Sequence, residues 1–207
     1  MKTFPAIAFT PAVRALQQAH GSRDAYARLP DVLPEGSGLG EREAVFLHAA
    51  DSVFLASVNA DGWPYVQHRG GPRGFIRVLS PTRIAFADFR GNRQYVSVGN
   101  VASDNRVALI VMDYANRRRL KLLGRLRFEA IESADPTLVA AVELPNYRAR
   151  VERVATIDIE AFDWNCPQHI TPRFTIDEIE ATTRPLRERI AQLEAEIAVS
   201  RAGHLPR

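Results

Sequence analysis

Hydrophobic and polar positions divide this chain into three stretches with different periodicities. The first reads as helical. Thr10 can cap a helix whose first position is Pro11, with Val13 and Leu16 at helical spacing. Gly21-Ser22 interrupts it, and a short second helix is expected over Asp24 to Leu29. The segment 30–40, PDVLPEGSGLG, is a linker by its prolines and glycines. Glu41 to Ala50 resumes a helix carrying Val45, Phe46 and Leu47.

From Ser52 the pattern changes to short runs of branched and aromatic residues between turn signals, which predicts six strands. The first is Ser52 to Asn59, closed by Asp61-Gly62. The second starts at Tyr65, bends at Gly70-Gly71-Pro72-Arg73-Gly74 and continues from Phe75 to Leu79. Arg83 to Phe89, Arg106 to Tyr114, Arg119 to Glu129 and Arg153 to Phe162 follow, with helices over Gln94–Ala102 and Asp135–Glu143 between them. Thr175 to Ser200 returns to helical periodicity. Ile176, Ile179, Leu186, Ile190, Leu193 and Ile197 form one stripe, and Pro185 is expected to kink or restart the helix. Strands joined by tight turns, without regular alternation with helices, argue for an antiparallel barrel or sandwich rather than a doubly wound sheet. No internal repeat or low-complexity tract occurs.

Composition narrows the class. At 207 residues, 46% hydrophobic and 25% charged, the chain has enough apolar surface for its own core. The single cysteine, Cys166, permits no intrachain disulfide and fits a reducing, cytoplasmic setting. No apolar run reaches the ~20 residues of a membrane helix, and MKTFPAIAFTPAV is too short an apolar run for a signal peptide. Neither a glycine-rich dinucleotide fingerprint nor a P-loop is present. The net charge of +3 leaves the location of the arginines as the informative feature.

Four polar clusters carry candidate chemistry. Gln67 to Arg73, QHRGGPR, places arginines and amides around a Gly-Gly pair where a backbone or ligand can approach closely; a solvated bulge is the plain alternative. Asp88 to Gln94, DFRGNRQ, joins a strand to a helix start, a place suited to phosphate, or simply a capped turn. In Asn116 to Lys121, Arg117, Arg119 and Lys121 are expected on one strand face. Such a run also suits nucleic acid, but the exposed stacking aromatics of nucleic-acid barrels are missing from the pattern. Asp163 to Arg173, DWNCPQHITPR, groups Trp164, Cys166, His169 and Arg173. Cys166 and His169 are not spaced as a nucleophile and base, and His20, His48, His68, His169 and His204 are not spaced as metal ligands.

In order, FLASVNADGWPYV, QHRGGPRGFIRVL, RIAFADF leading into GNRQ, VALIVMDY, RRRLKLLGRLRF and DWNCPQHITPRF resemble the pyridoxamine 5′-phosphate oxidase-like, FMN-binding split-barrel family over roughly residues 45–175. The resemblance implies a mainly β fold with flanking helices, a six-stranded antiparallel split β-barrel. With the helical readings at both ends, the chain divides into an N-terminal helical extension and linker over 1–44, the barrel over 45–174 and a C-terminal amphipathic helix and tail over 175–207; the resemblance further implies a homodimer. By position, Gln67, His68 and Arg69 correspond to the second-strand contacts with flavin and phosphate, and Ala87 and Asp88 to third-strand positions beside the flavin. Asn92, Arg93 and Gln94 correspond to the Ser-Arg-Lys phosphate turn, with only the arginine identical. Arg119 and Lys121 correspond to the region where the partner subunit enters the site, and Trp164 and Arg173 to the C-terminal closing segment. His169 is the candidate catalytic group. The implied activity is FMN-dependent oxidoreduction with a small-molecule substrate or a donor such as NAD(P)H, without nucleic acid or membrane partners. The alternative is non-catalytic flavin binding or storage.

Overall fold

The computed structural model describes residues 1–164 and 166–202, with side chains through 200. Asn165 and the tail containing His204 lie outside the described residues. Two compact units are present. One comprises Met1–Asp113 with Arg118–Gln168; the other comprises Tyr114–Arg117 and the chain from His169 onward.

Seven strands, rather than six, build the first unit: β1 (Ser52–Val58), β2 (Pro64–Gly70), β3 (Arg77–Ser80), β4 (Arg83–Phe89), β5 (Arg106–Asp113), β6 (Arg118–Ala130) and β7 (Val151–Trp164). They form one antiparallel sheet in the order β2-β1-β5-β6-β7-β4-β3. The expected bent second strand is therefore two strands at opposite edges of the sheet. The segment 71–76 between them cannot continue either ladder. Gly74 has φ +87°, and Phe75 and Ile76 turn inward to only 1% exposure. A Cβ on Gly71 would lie 2.8 Å from the Cβ of Phe75, so the close approach that this glycine permits is made by the chain itself.

The sheet does not close through backbone hydrogen bonds, because β2 and β3 pair only with β1 and β4 respectively. It curls nonetheless: the side chain of Arg69 on edge strand β2 reaches Asp88 on β4, beside the opposite edge. Val53, Leu55, Ile84, Phe86, Val111, Leu120, Leu122, Leu126 and Ile157 fill the concave side. They alternate along their strands with outward residues, as period-2 side chains must.

β4 departs from that alternation, being buried continuously from Ile84 to Asp88. Its second face, Ala85 and Ala87, packs with Val142, Ala134 and Val154, beneath α6 (Pro136–Val142). Gly124 in β6 sits at a register shift, where a Cβ would meet the Asp158 carbonyl oxygen at 2.5 Å.

The N-terminal region forms α1 (Phe4–Ala8), α2 (Pro11–Ala19) and α3 (Arg23–Ala27), and α4 (Glu41–Ala49) precedes the sheet. Thr3 and Thr10 cap the first two helices by accepting the Ala6 and Val13 N–H groups. Buried Glu43 accepts the Gly40 N–H at 3.0 Å and the Trp164 indole N–H at 2.6 Å, tying the start of α4 to the end of β7. α5 (Val96–Ser103) lies between β4 and β5.

In the second unit, α7 (Ile176–Ala202) runs through Pro185 as one helix instead of restarting there. A reciprocal capping box starts it: the Glu178 N–H donates to Thr175 Oγ1, and the Thr175 N–H donates to the Glu178 carboxylate. The hydroxyls of Thr182 and Thr183 donate to carbonyls one turn back, ahead of the proline. Among the described residues, no helix is long and apolar enough to cross a membrane.

Candidate functional site

The turn from β4 into α5 is the most strained backbone in the first unit. Arg93 has φ +62° and Tyr95 φ +53°, left-handed values that cost non-glycine residues about 1–2 kcal/mol each. Asn92 stabilises the turn, its Oδ1 accepting the Gln94 N–H at 3.2 Å. With left-handed Tyr95 at the N-cap, α5 begins without a side-chain cap, leaving its first N–H groups available to another acceptor.

That turn forms one wall of a cleft of about 250 Å³. β2 supplies Gln67 and Arg69, two residues apart and so on one face. β4 supplies Asp88 and Phe89, the turn Gly91, Asn92, Arg93 and Tyr95, α5 Ser97 and Val98, and β7 Glu152 and Arg153.

Asp88 is the electrostatic centre, its side chain only 4% exposed. It accepts a hydrogen bond from Arg69 Nη1, and another from Arg153 Nε at 2.9 Å. The second follows directly from register, because Asp88 and Arg153 are paired across β4 and β7. Arg153 also bridges to Glu152 at 3.1 Å and lies 4.8 Å from the Tyr95 ring centroid. Arg69 donates to Gln67 Oε1 at 3.3 Å, and Ser97 Oγ donates to the same oxygen at 2.8 Å. Arg69 Nε is buried and lacks a hydrogen-bond partner. A buried guanidinium N–H without an acceptor is costly, and one beside a cleft has an anionic ligand as its natural complement.

Five of the residues singled out from sequence meet here: Gln67, Arg69, Asp88, Asn92 and Arg93. Others are placed elsewhere. His68 points to the opposite face of β2 from Gln67 and Arg69 and packs edge-on against Phe54 at 5.6 Å. Ala87 faces α6 rather than the cleft. Gln94 is exposed and enters the turn through its backbone N–H.

Arg119 lies on β6 opposite Met112, its Nε buried without a partner. Lys121 pairs with Asp163 at 2.8 Å. Arg117 does not share their strand face; it occupies the hairpin turn with φ +53°. Trp164 is committed to α4 through Glu43, with the Arg42 guanidinium 4.2 Å from its ring centroid and Phe46 packed edge-on. In the second unit, Arg173 lies over the Tyr114 ring at 4.8 Å, and His169 is exposed with φ +62°.

Sequence reasoning missed Tyr95, Ser97, Glu152 and Arg153. The last two sit at the start of β7 and join the site only through pairing with β4, some 65 residues away in the chain. Among the described residues, no group of His, Cys, Asp and Glu is arranged to hold a metal ion.

Compared with known proteins, the sequence model of the pyridoxamine 5′-phosphate oxidase family matches residues 39–158. No curated protein sequence gives a match. Solved structures similar to this chain include HupZ of Group A Streptococcus, 12% identical, covering 65% of this chain and 98% of that one at a TM-score of 0.49. A protein related to general stress protein 26, from Clostridium acetobutylicum, is 14% identical with coverages of 67% and 94% and a TM-score of 0.43. An FMN-binding protein from Syntrophomonas wolfei is 9% identical with coverages of 75% and 95% and a TM-score of 0.43.

Proposed function

The chain belongs to the pyridoxamine 5′-phosphate oxidase family, and on that footing we propose that it binds FMN with the phosphate in the Arg69–Arg93–Arg153 cleft and acts as a cytoplasmic, homodimeric flavin-dependent oxidoreductase. The observation that carries this reading is the donor set gathered around one cleft. Three guanidinium groups, the Asn92 and Gln67 amides, the Ser97 hydroxyl and the uncapped start of α5 surround it. Such donors suit a phosphate monoester, for which planar guanidinium forks and free helix N–H groups are strong partners. The orphaned Arg69 Nε gives the fit a specific atom.

When bound, FMN supplies the two-electron chemistry of its ring, and the protein supplies binding, orientation and electrostatics. Arg93 would supply charge to the phosphate, with Arg69 and Arg153 donating hydrogen bonds to it. Asp88 fixes the directions of Arg69 and Arg153, so that their remaining N–H groups are preorganised before a ligand arrives. Gln67 and Ser97 hold the inner wall. Arg119, whose Nε is buried without a partner, would bring positive charge to the flavin ring from the second copy of the chain.

One observation favours non-catalytic flavin binding or storage as a second reading. Among the described residues, the cleft is lined by no histidine or cysteine that moves a proton near neutral pH, and the candidate His169 belongs to the other unit.

An absorbance spectrum of the purified protein, with the released chromophore identified by mass, tests FMN binding. A flavin spectrum and the mass of FMN support the proposal. A colourless protein that also fails to take up added FMN overturns it. Turnover of NADH or NADPH with an electron acceptor then separates the oxidoreductase from the carrier.

A further inference from the structure

The apolar stripe of α7 has a stricter period than a surface helix requires. Positions 176, 179, 183, 186, 190, 193 and 197 alternate steps of three and four, the a/d pattern of a heptad repeat. Ile176, Ile190 and Ile197 occupy a positions with Thr183; Ile179, Leu186 and Leu193 occupy d positions. Every large apolar residue of this seam is between 39% and 73% exposed. Pro185 falls at a c position, so its ring points away from the seam. A seam this regular and this exposed needs a partner helix with the same repeat.

We propose that α7 is one strand of a parallel, in-register two-stranded coiled coil whose other strand is α7 of a second copy of this chain. Two independent features point to that occupant. The core chemistry fits: β-branched isoleucine at a, with leucine at the central d positions Leu186 and Leu193, favours two parallel strands. The flanking charges fit as well. In a parallel pair each g residue faces the e residue five positions later on the partner. Arg189 then meets Glu194 of the second copy, twice by symmetry, while Thr182 meets Arg187. Among the described residues, no such g–e pair brings like charges together. The inference does not depend on flavin binding.

The test uses the full chain in a Cys166→Ser background, since Cys166 is an exposed thiol. A single cysteine is placed at the seam by Ile197→Cys, or on the outer f position by Ala195→Cys. Both positions are exposed, so neither change disturbs a core. Covalent dimer formation under mild oxidation is followed on non-reducing gels. Parallel pairing holds the two residue-197 thiols at high effective concentration, so Ile197→Cys should crosslink at least about tenfold faster than Ala195→Cys. Equal rates for the two variants would overturn the proposal. So would crosslinking confined to a mixture of Ile179→Cys and Ile197→Cys chains, the signature of antiparallel pairing. Because the readout is the distance between thiols, an FMN-free protein that crosslinks as expected would refute the flavin reading alone.

Discussion

Replacing Asp88 by Asn leaves the shape of the cleft intact and removes the charge on which Arg69 and Arg153 converge. The side chains involved are 4%, 13% and 20% exposed for Asp88, Arg69 and Arg153, so solvent offers little compensation. Breaking a buried ion pair on one side costs about 3–5 kcal/mol. Glu152 still neutralises Arg153 at 3.1 Å, which places Asp88→Asn near the lower end, about 3 kcal/mol. For a chain of this length that is a fall of roughly 6–12 °C in melting temperature. The same substitution frees the Arg69 guanidinium for an external anion, while Arg153 keeps Glu152. Inorganic phosphate at about 100 times its Kd would return about 2.7 kcal/mol, and should raise the melting temperature of the variant more than that of the wild type. Thermal unfolding followed by circular dichroism, with and without phosphate, reads both effects. A variant that melts within about 2 °C of wild type, or that gains no more from phosphate than wild type does, would refute the picture of Asp88 as an internal counter-ion in an anion site.

Other consequences follow from the same geometry. Arg93→Ala should abolish retention of FMN while leaving the melting temperature of the ligand-free protein nearly unchanged, because strained Arg93 belongs to the turn rather than to the core; stoichiometric flavin in the purified variant would contradict its role. Gly124→Ala places a Cβ against the Asp158 carbonyl in the central β6–β7 pair, and should destabilise the protein by about 2 kcal/mol or more, in the range of overpacked cores; denaturant midpoints measure this. Asp158 should make part of the stability acid-sensitive. Burial pushes its carboxyl up, but hydrogen bonds and charge from Arg83 and Arg127 outweigh that and hold it below the ordinary value of 3.8. A lowered folded-state value means the contribution is complete above the ordinary value and is lost as pH falls through the lowered one. The stability gap between wild type and Asp158→Asn should therefore be widest near neutrality and shrink as the pH falls below the ordinary carboxylate value of 3.8; a gap that does not shrink on acidification would contradict the assignment.

Most of the sheet was legible from alternation. Val53 and Leu55, or Leu120 and Leu122, face one way while their neighbours face the other, and a period of two needs no knowledge of partners. The split of the expected second strand into β2 and β3 was not legible. Both halves carry strand-like residues, and what separates them is the choice of different partners, β1 and β4. At the site, Arg69, Asp88, Asn92 and Arg93 were visible because polar residues cluster at a strand end and a turn. Arg153 and Glu152 were not, because they sit in an ordinary strand start and become site residues only through the register of β7 on β4. Trp164 shows the converse. Grouped with polar residues in the sequence and placed by resemblance in the closing segment, it has its indole N–H held by Glu43 and its ring under the Arg42 guanidinium.

The claim that a phosphate lies in this cleft is tested most directly by comparing FMN with riboflavin, which has the same ring and ribityl chain without the phosphate. Flavin fluorescence quenching on titration with the protein gives both affinities. Equimolar FMN binding is expected, with riboflavin binding weaker by about 100-fold or more, the loss of two or so charge-assisted hydrogen bonds at about 1.5–3 kcal/mol each. Equal affinity for the two flavins would contradict it, because the arginines around Asp88 would then contribute nothing to recognition.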